Sequence, residues 1–182
     1  MKAFVLLSGG VDSMACIHFY LKLGYEVEGI FCNYGQLAAN CERLAVERVS
    51  KYYNIPLRIV EVKYNGVPQT GEICGRNALL VWLAFWSIGF GLYKIILGIH
   101  DGTGYTDCSP IFVDKTNRAL DCYTNGTVLL EAPFLNWNKA GIARYCKNNR
   151  LPYYITYSCE EGTMPPCGKC LSCIDRKEFF DE

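Results

Sequence analysis

The chain has 182 residues, 51% hydrophobic and 20% charged, so it can bury a substantial core in one domain (1–182) and is too apolar to be disordered. Eighteen basic and eighteen acidic side chains cancel with no block of like charge. This argues against a long nucleic acid partner and for a small-molecule substrate.

In chain order, Lys2–Leu7 reads as a buried strand and Val11–Leu23 as an amphipathic helix, joined by "SGGVDS" (Ser8–Ser13). Too few apolar residues precede Ser8 for a secretory signal. A helix N-terminus exposes unpaired N–H groups and a partial positive charge. Gly9 and Gly10 let backbone approach a bulky anion, and Ser8 and Ser13 can donate hydroxyl bonds, so the loop favours a phosphate. It lacks the spacing and lysine of a Walker A loop, and Asp12 would repel phosphate unless magnesium lay between them. The plainer alternative is a tight turn in which Asp12 or Ser13 caps the helix.

Strands are predicted next at Glu26–Asn33, Leu57–Lys63, Lys94–Ile99 and Val128–Ala132, and helices at Leu37–Tyr53, Asn77–Leu92 and Ile111–Tyr123. A further helix is expected from about Asn138 to before Pro152. The apolar stretch Ala78–Tyr93 has sixteen uncharged residues, short of the roughly 20 that span a bilayer, and reads as a core helix. Alternating strands and helices predict an α/β fold, a parallel sheet with helices on both faces. Ligands in such sheets sit beyond the carboxyl ends of the strands, where the Ser8–Ser13 loop lies.

Of eleven cysteines, seven are scattered singly and four fall in "CEEGTMPPCGKCLSC". Cys159, Cys167, Cys170 and Cys173 have the spacing of a tetrahedral four-thiolate site. A filled shell makes that metal structural, zinc by preference, with an iron–sulfur cluster as the alternative. Dispersed thiols plus one cluster point to a reducing cytoplasm.

"SGGVDS" resembles the pyrophosphate-binding loop of the N-type ATP pyrophosphatases, whose fold is Rossmann-like. The resemblance implies that Leu7, Ser8, Gly9, Gly10, Val11, Asp12, Ser13, Met14, Ala15, Cys16 and Ile17 form the ATP-binding segment. It places adenine near Phe31 and Cys32. Together with "CGKCLSCIDRKEFF", "NYGQ" (Asn33–Gln36), "GRN" (Gly75–Asn77), "GYTDC" (Gly104–Cys108) and "APFLNWNKAGI" (Ala132–Ile142), the chain resembles the 7-cyano-7-deazaguanine synthase (QueC) family.

That resemblance implies a ligase that adenylates 7-carboxy-7-deazaguanine and aminates it with ammonia to the amide and then the nitrile, releasing AMP and pyrophosphate. ATP, magnesium and structural zinc are the implied cofactors, and a homodimer the implied assembly. Asp12, Ser13, Arg76 and Lys139 are the expected catalytic residues, with Arg76 and Lys139 acting on phosphates or the acyl group. Arg76, Asn77, Asp101, Tyr105 and Asp107 are the expected substrate residues: a guanine-like base offers adjacent N–H donors to a carboxylate, and Tyr105 can stack. His100 is a further residue at the ligand edge.

The chain departs from the family pattern at several points. Cys74 stands where proline is common, Ser109 for arginine, Asn138 for aspartate and Gly141 for glutamate; the segment before Gly75 and the C-terminus are short. These departures bear on substrate and product. Two other readings therefore accompany the first. One is an enzyme that stops at the amide or transfers the acyl group to another acceptor, such as a protein. The other is a non-catalytic nucleotide-binding and zinc-knuckle module.

Overall fold

The computed structural model describes residues 1–63, 73–100 and 104–180. The strands are β1 (Lys2–Leu6), β2 (Glu26–Asn33), β3 (Leu57–Glu61), β4 (Tyr93–Ile96) and β5 (Val128–Glu131). They form one sheet in the order β3-β2-β1-β4-β5, every neighbouring pair parallel. The helices are α1 (Val11–Lys22), α2 (Ala39–Tyr53), α3 (Arg76–Ile88), α4 (Pro110–Thr124), α5 (Lys139–Asn148) and α6 (Leu171–Phe179).

The sheet is buried on both faces, as a parallel sheet must be. Ala3 and Val5 of β1, and Leu7 just beyond it, join the core beneath α1, α2 and α5. Phe4 and Leu6 point the opposite way, into the core beneath α3 and α4. The alternation follows the two-residue period of a strand. Residues such as Ile17 and Ile95 are wholly enclosed, each stabilising the fold by about 1.5–3 kcal/mol.

The expected element order holds, with three differences. The long apolar helix stops at Ile88 rather than Leu92, because Gly89 leaves the helix with φ +84°. Trp86 on the last turn of α3, and Phe90 and Leu92 beyond it, are exposed. The strands also stop short of their apolar runs: Leu97 and Ile99 are buried beyond β4 as loop residues. Finally, α6 is an additional helix; it starts directly after Cys170 and packs on α5. Among the described residues no helix is long and apolar enough to cross a membrane.

Order along the sheet reverses at β1: the chain moves outward to β2 and β3, then returns to place β4 on the other side of β1. The carboxyl ends of β1 and β4 therefore open a crevice at the switch point. Gly98, just beyond β4, packs directly on the first turn of α1. A Cβ there would lie 3.1 Å from the Ser13 nitrogen and 3.2 Å from the Asp12 carbonyl carbon.

Candidate active site

One cavity of about 330 Å³, within the range of small-ligand sites, occupies this crevice. Its floor is the turn between β1 and α1: Leu7, Ser8, Gly10, Val11, Asp12 and Ser13 all line it. Gly10, the residue before α1, is extended and offers no side-chain cap. Neither Asp12 nor Ser13 caps the helix. Ser13 Oγ donates to the Gly10 carbonyl at 3.0 Å and stands 3.3 Å from Ser8 Oγ. The first N–H groups of α1 are thus left for an anion. Met14, Ala15, Cys16 and Ile17 lie outside the lining, fully buried in the core.

Lys139 Nζ meets both Asp12 carboxylate oxygens, at 2.9 and 2.8 Å, across 127 residues of chain. Asn138 makes this placement by capping α5: its Oδ1 accepts from Gly141 N at 2.9 Å. That local role accounts for asparagine at this position. Gly141 has room for a Cβ, so nothing in the packing accounts for the glycine.

Arg76 opens α3 and lines the same cavity, where its positive charge acts on the Tyr34 hydroxyl and on Glu42. Asn77 is buried, its Nδ2 donating to the Asp107 carbonyl at 3.2 Å. The Asp107 carboxylate accepts from Asn77 N at 3.1 Å. Asp107 therefore caps α3 from a distant loop and is absent from the lining; Tyr105 and His100 are in it. Asp101 lies outside the described residues. Ser109 caps α4, accepting from Phe112 N at 3.2 Å and donating to Thr106 O at 2.9 Å.

Several lining groups were not assigned from sequence. Gln36 and Glu42 come from the α2 entry, and Ser158, Glu160, Ser172, Asp175, Arg176 and Phe180 from the C-terminal segment. The spacing of Ser172, Asp175 and Arg176 on one helical face was the available signal. This segment is tied to the loop by Tyr157 N donating to Gly9 O at 2.9 Å. Glu160 Oε1 accepts from Ser172 N and Oγ at 3.2 and 2.7 Å, holding the start of α6.

The sulfur atoms of Cys159, Cys167, Cys170 and Cys173 all lie within 4.8 Å of one another, with Cys167 and Cys173 at 4.0 Å. A tetrahedron of 2.3 Å zinc–sulfur bonds has edges of about 3.8 Å, so the donor set fits one ion. Burial raises the Cys159 thiol, but donors outweigh it. The Cys167 N–H at 3.3 Å, Thr163 and the Tyr157 hydroxyl bring it down to about 5. Such donors favour a thiolate, the form that ligates metal.

A parallel sheet with an uncapped helix and a serine–glycine loop at its switch point defines an α/β nucleotide-binding protein of the ATP pyrophosphatase loop class. The model of the queuosine biosynthesis protein QueC matches residues 2–73 and 65–182, and the chain belongs to that family. It is similar to 7-cyano-7-deazaguanine synthase of Oceanobacillus iheyensis, 30% identical over all of this chain and 94% of that protein. It is likewise 31% identical to 7-cyano-7-deazaguanine synthase 2 of Desulfitobacterium hafniense, over 100% of this chain and 89% of the other.

Among solved structures, the U34-tRNA thiolase NcsA from Methanococcus maripaludis, with its [4Fe-4S] cluster, matches with a TM-score of 0.55 at 15% identity. The match covers 98% of this chain and 64% of that one, a likeness of fold alone. As a QueC member the chain is an enzyme, an ATP-dependent ligase of the 7-deazaguanine pathway.

Proposed function

We propose that the enzyme converts 7-carboxy-7-deazaguanine to 7-cyano-7-deazaguanine, with adenylation of the acid as its first step. The observation that carries this reading is the convergence of the α1 N-terminus, Lys139 and Arg76 on one cavity. A carboxylate resists amines because oxide leaves poorly, whereas AMP leaves well. The Ser8–Ser13 loop grips the departing pyrophosphate, and Lys139 releases Asp12 to follow the phosphate charge. Arg76 holds the acyl carboxylate with its fork. Ammonia displaces AMP to give the amide; a second activation of the amide oxygen allows its loss as the nitrile. The residues act by position and charge.

Tyr105 stacks on the base. Asp101 accepts from its N–H edge, and Asp107 acts on substrate through its hold on Asn77. Asp12 would hold magnesium alongside the nucleotide phosphates, and the ion would supply charge neutralisation there; one carboxylate plus phosphates is its usual setting. Cys159, Cys167, Cys170 and Cys173 would hold zinc as four thiolates, and the ion would brace the C-terminal segment against the loop. The protein is cytoplasmic, in keeping with eleven free cysteines, and a homodimer. Exposed Trp86, Phe90 and Tyr123 support an interface; light scattering tests it.

ATP–pyrophosphate exchange dependent on 7-carboxy-7-deazaguanine is the deciding assay. AMP should be the nucleotide product and mass spectrometry should find the nitrile. ADP as first product overturns adenylation. An amide or a protein conjugate as the end product would retain adenylation and replace the final step.

A further inference from the structure

Four carboxylates line the cavity among the described residues: Asp12, Glu42, Glu160 and Asp175. Both oxygens of Asp12 are on Lys139, and Glu160 holds the start of α6. Glu42 differs from these. Gln36 Nε2 donates to its Oε2 at 2.7 Å and to the Cys32 carbonyl at 3.2 Å, while Gln36 Oε1 accepts from Tyr34 N at 3.0 Å. These bonds fix the orientation of the Gln36 amide and, through it, one oxygen of Glu42. Oε1 has no hydrogen bond from the described residues.

The Glu42 backbone lies beside the phosphate loop, and its side chain lines the cavity that Arg76 also lines. Its carbonyl oxygen lies 3.0 Å from where a Gly9 Cβ would stand, and its carboxylate feels the Arg76 guanidinium. A group placed between the phosphate loop and the acyl-binding arginine is next to the carbon where a nucleophile must attack. Ammonia presents a proton problem there, because near neutrality it is mostly ammonium, whose nitrogen has no free lone pair.

We propose that Glu42 is the catalytic base of the amination step, a role that rests on the adenylation reading above. Glu42 Oε1 takes one proton from ammonium, and the freed lone pair of ammonia forms the C–N bond to the acyl carbon. The tetrahedral nitrogen loses a second proton to water at the cavity mouth. The C–O bond to AMP then breaks, its electron pair leaving with the phosphate. One acyl adenylate and one ammonium thus give amide, AMP and two protons, with no oxidant or reductant. Burial pushes the Glu42 carboxyl above the ordinary glutamate range, with Gln36 and Arg76 opposing, a direction that makes it a stronger base.

The test compares Glu42→Gln with wild type using two nucleophiles. Hydroxylamine is uncharged at neutral pH and attacks without prior deprotonation. Amide formation from ammonium should fall about 10²–10⁴-fold in Glu42→Gln. Hydroxamate formation and acid-dependent ATP–pyrophosphate exchange should each stay within about tenfold of wild type, since neither needs the base. Glu42→Asp, which keeps a shorter carboxylate, should show a smaller loss confined to ammonium and serves if the Gln variant fails to fold.

Equal losses with both nucleophiles, or loss of exchange in the variant alone, would overturn the role of Glu42. An ammonium-specific loss in Asp175→Asn and not in Glu42→Gln would overturn it in favour of Asp175. Absence of exchange in wild type would overturn the adenylation reading itself, and this proposal with it.

Discussion

Gly162→Ala offers a measure of how firmly the C-terminal segment is held to the active site. Gly162 has φ +67°, and a Cβ there would stand 2.3 Å from the Leu37 carbonyl oxygen and 2.9 Å from Ala38 Cα. Both obstacles are backbone, so no side chain can swing aside. The left-handed conformation costs a residue with a Cβ about 1–2 kcal/mol, and overpacking adds about 1–3 kcal/mol. The sum, about 2–5 kcal/mol, lowers Tm by about 4–20 °C in a domain of this size.

Gly24→Ala is the control: φ is +79° there but nothing lies within 4 Å of the new Cβ, so only the conformational cost remains. Thermal unfolding by circular dichroism compares the two variants. Gly162→Ala should also weaken amide formation from ammonium, because Leu37 and Ala38 lead from Gln36 into α2 and Glu42. Equal Tm shifts for the two variants would refute the close packing of this segment on α2.

Asp12→Ala and Ser13→Ala should each cut ATP turnover by about 10²–10³-fold with little change in Tm; wild-type AMP production by both would remove the loop from catalysis. Cys170→Ser should lower zinc content, from one ion per chain, and Tm together, and activity only as a consequence. X-ray absorption should give Zn–S distances of about 2.3 Å in wild type; a brown protein with iron–sulfur absorbance would contradict it.

Glu42 carries a raised folded-state pKa, so its ionisation costs stability as pH rises through that value and costs nothing below the unfolded glutamate pKa, about 4.3. Glu42→Gln should therefore raise Tm at pH 7–8 and have no such effect near pH 4. The opposite trend in paired melts would show the carboxylate to be stabilised by its surroundings.

The features that depend on neighbours in the chain were open to reading before any folding. Apolar periodicity set the strand–helix alternation, the glycines and serines of Ser8–Ser13 marked the anion loop, and the cysteine spacing marked the metal knuckle. In each case a few consecutive residues contain the whole physical cause. Even helix ends followed local chemistry: Gly89 stops α3 and Asn138 starts α5, though the apolar run beyond Gly89 masked the first.

The pairings that turn these pieces into a site span long stretches of chain. Lys139 meets Asp12 across 127 residues, and Asp107 serves Asn77 across 30. An aspartate in a loop looks the same in sequence whether it awaits a substrate or caps a helix. Packing decides which. The same holds for Gln36, Glu42 and the cavity face of α6. Their polar groups became site residues because the sheet order brings α2 and the C-terminal segment over the carboxyl end of β1. A local periodic pattern carries no information about that long-range juxtaposition.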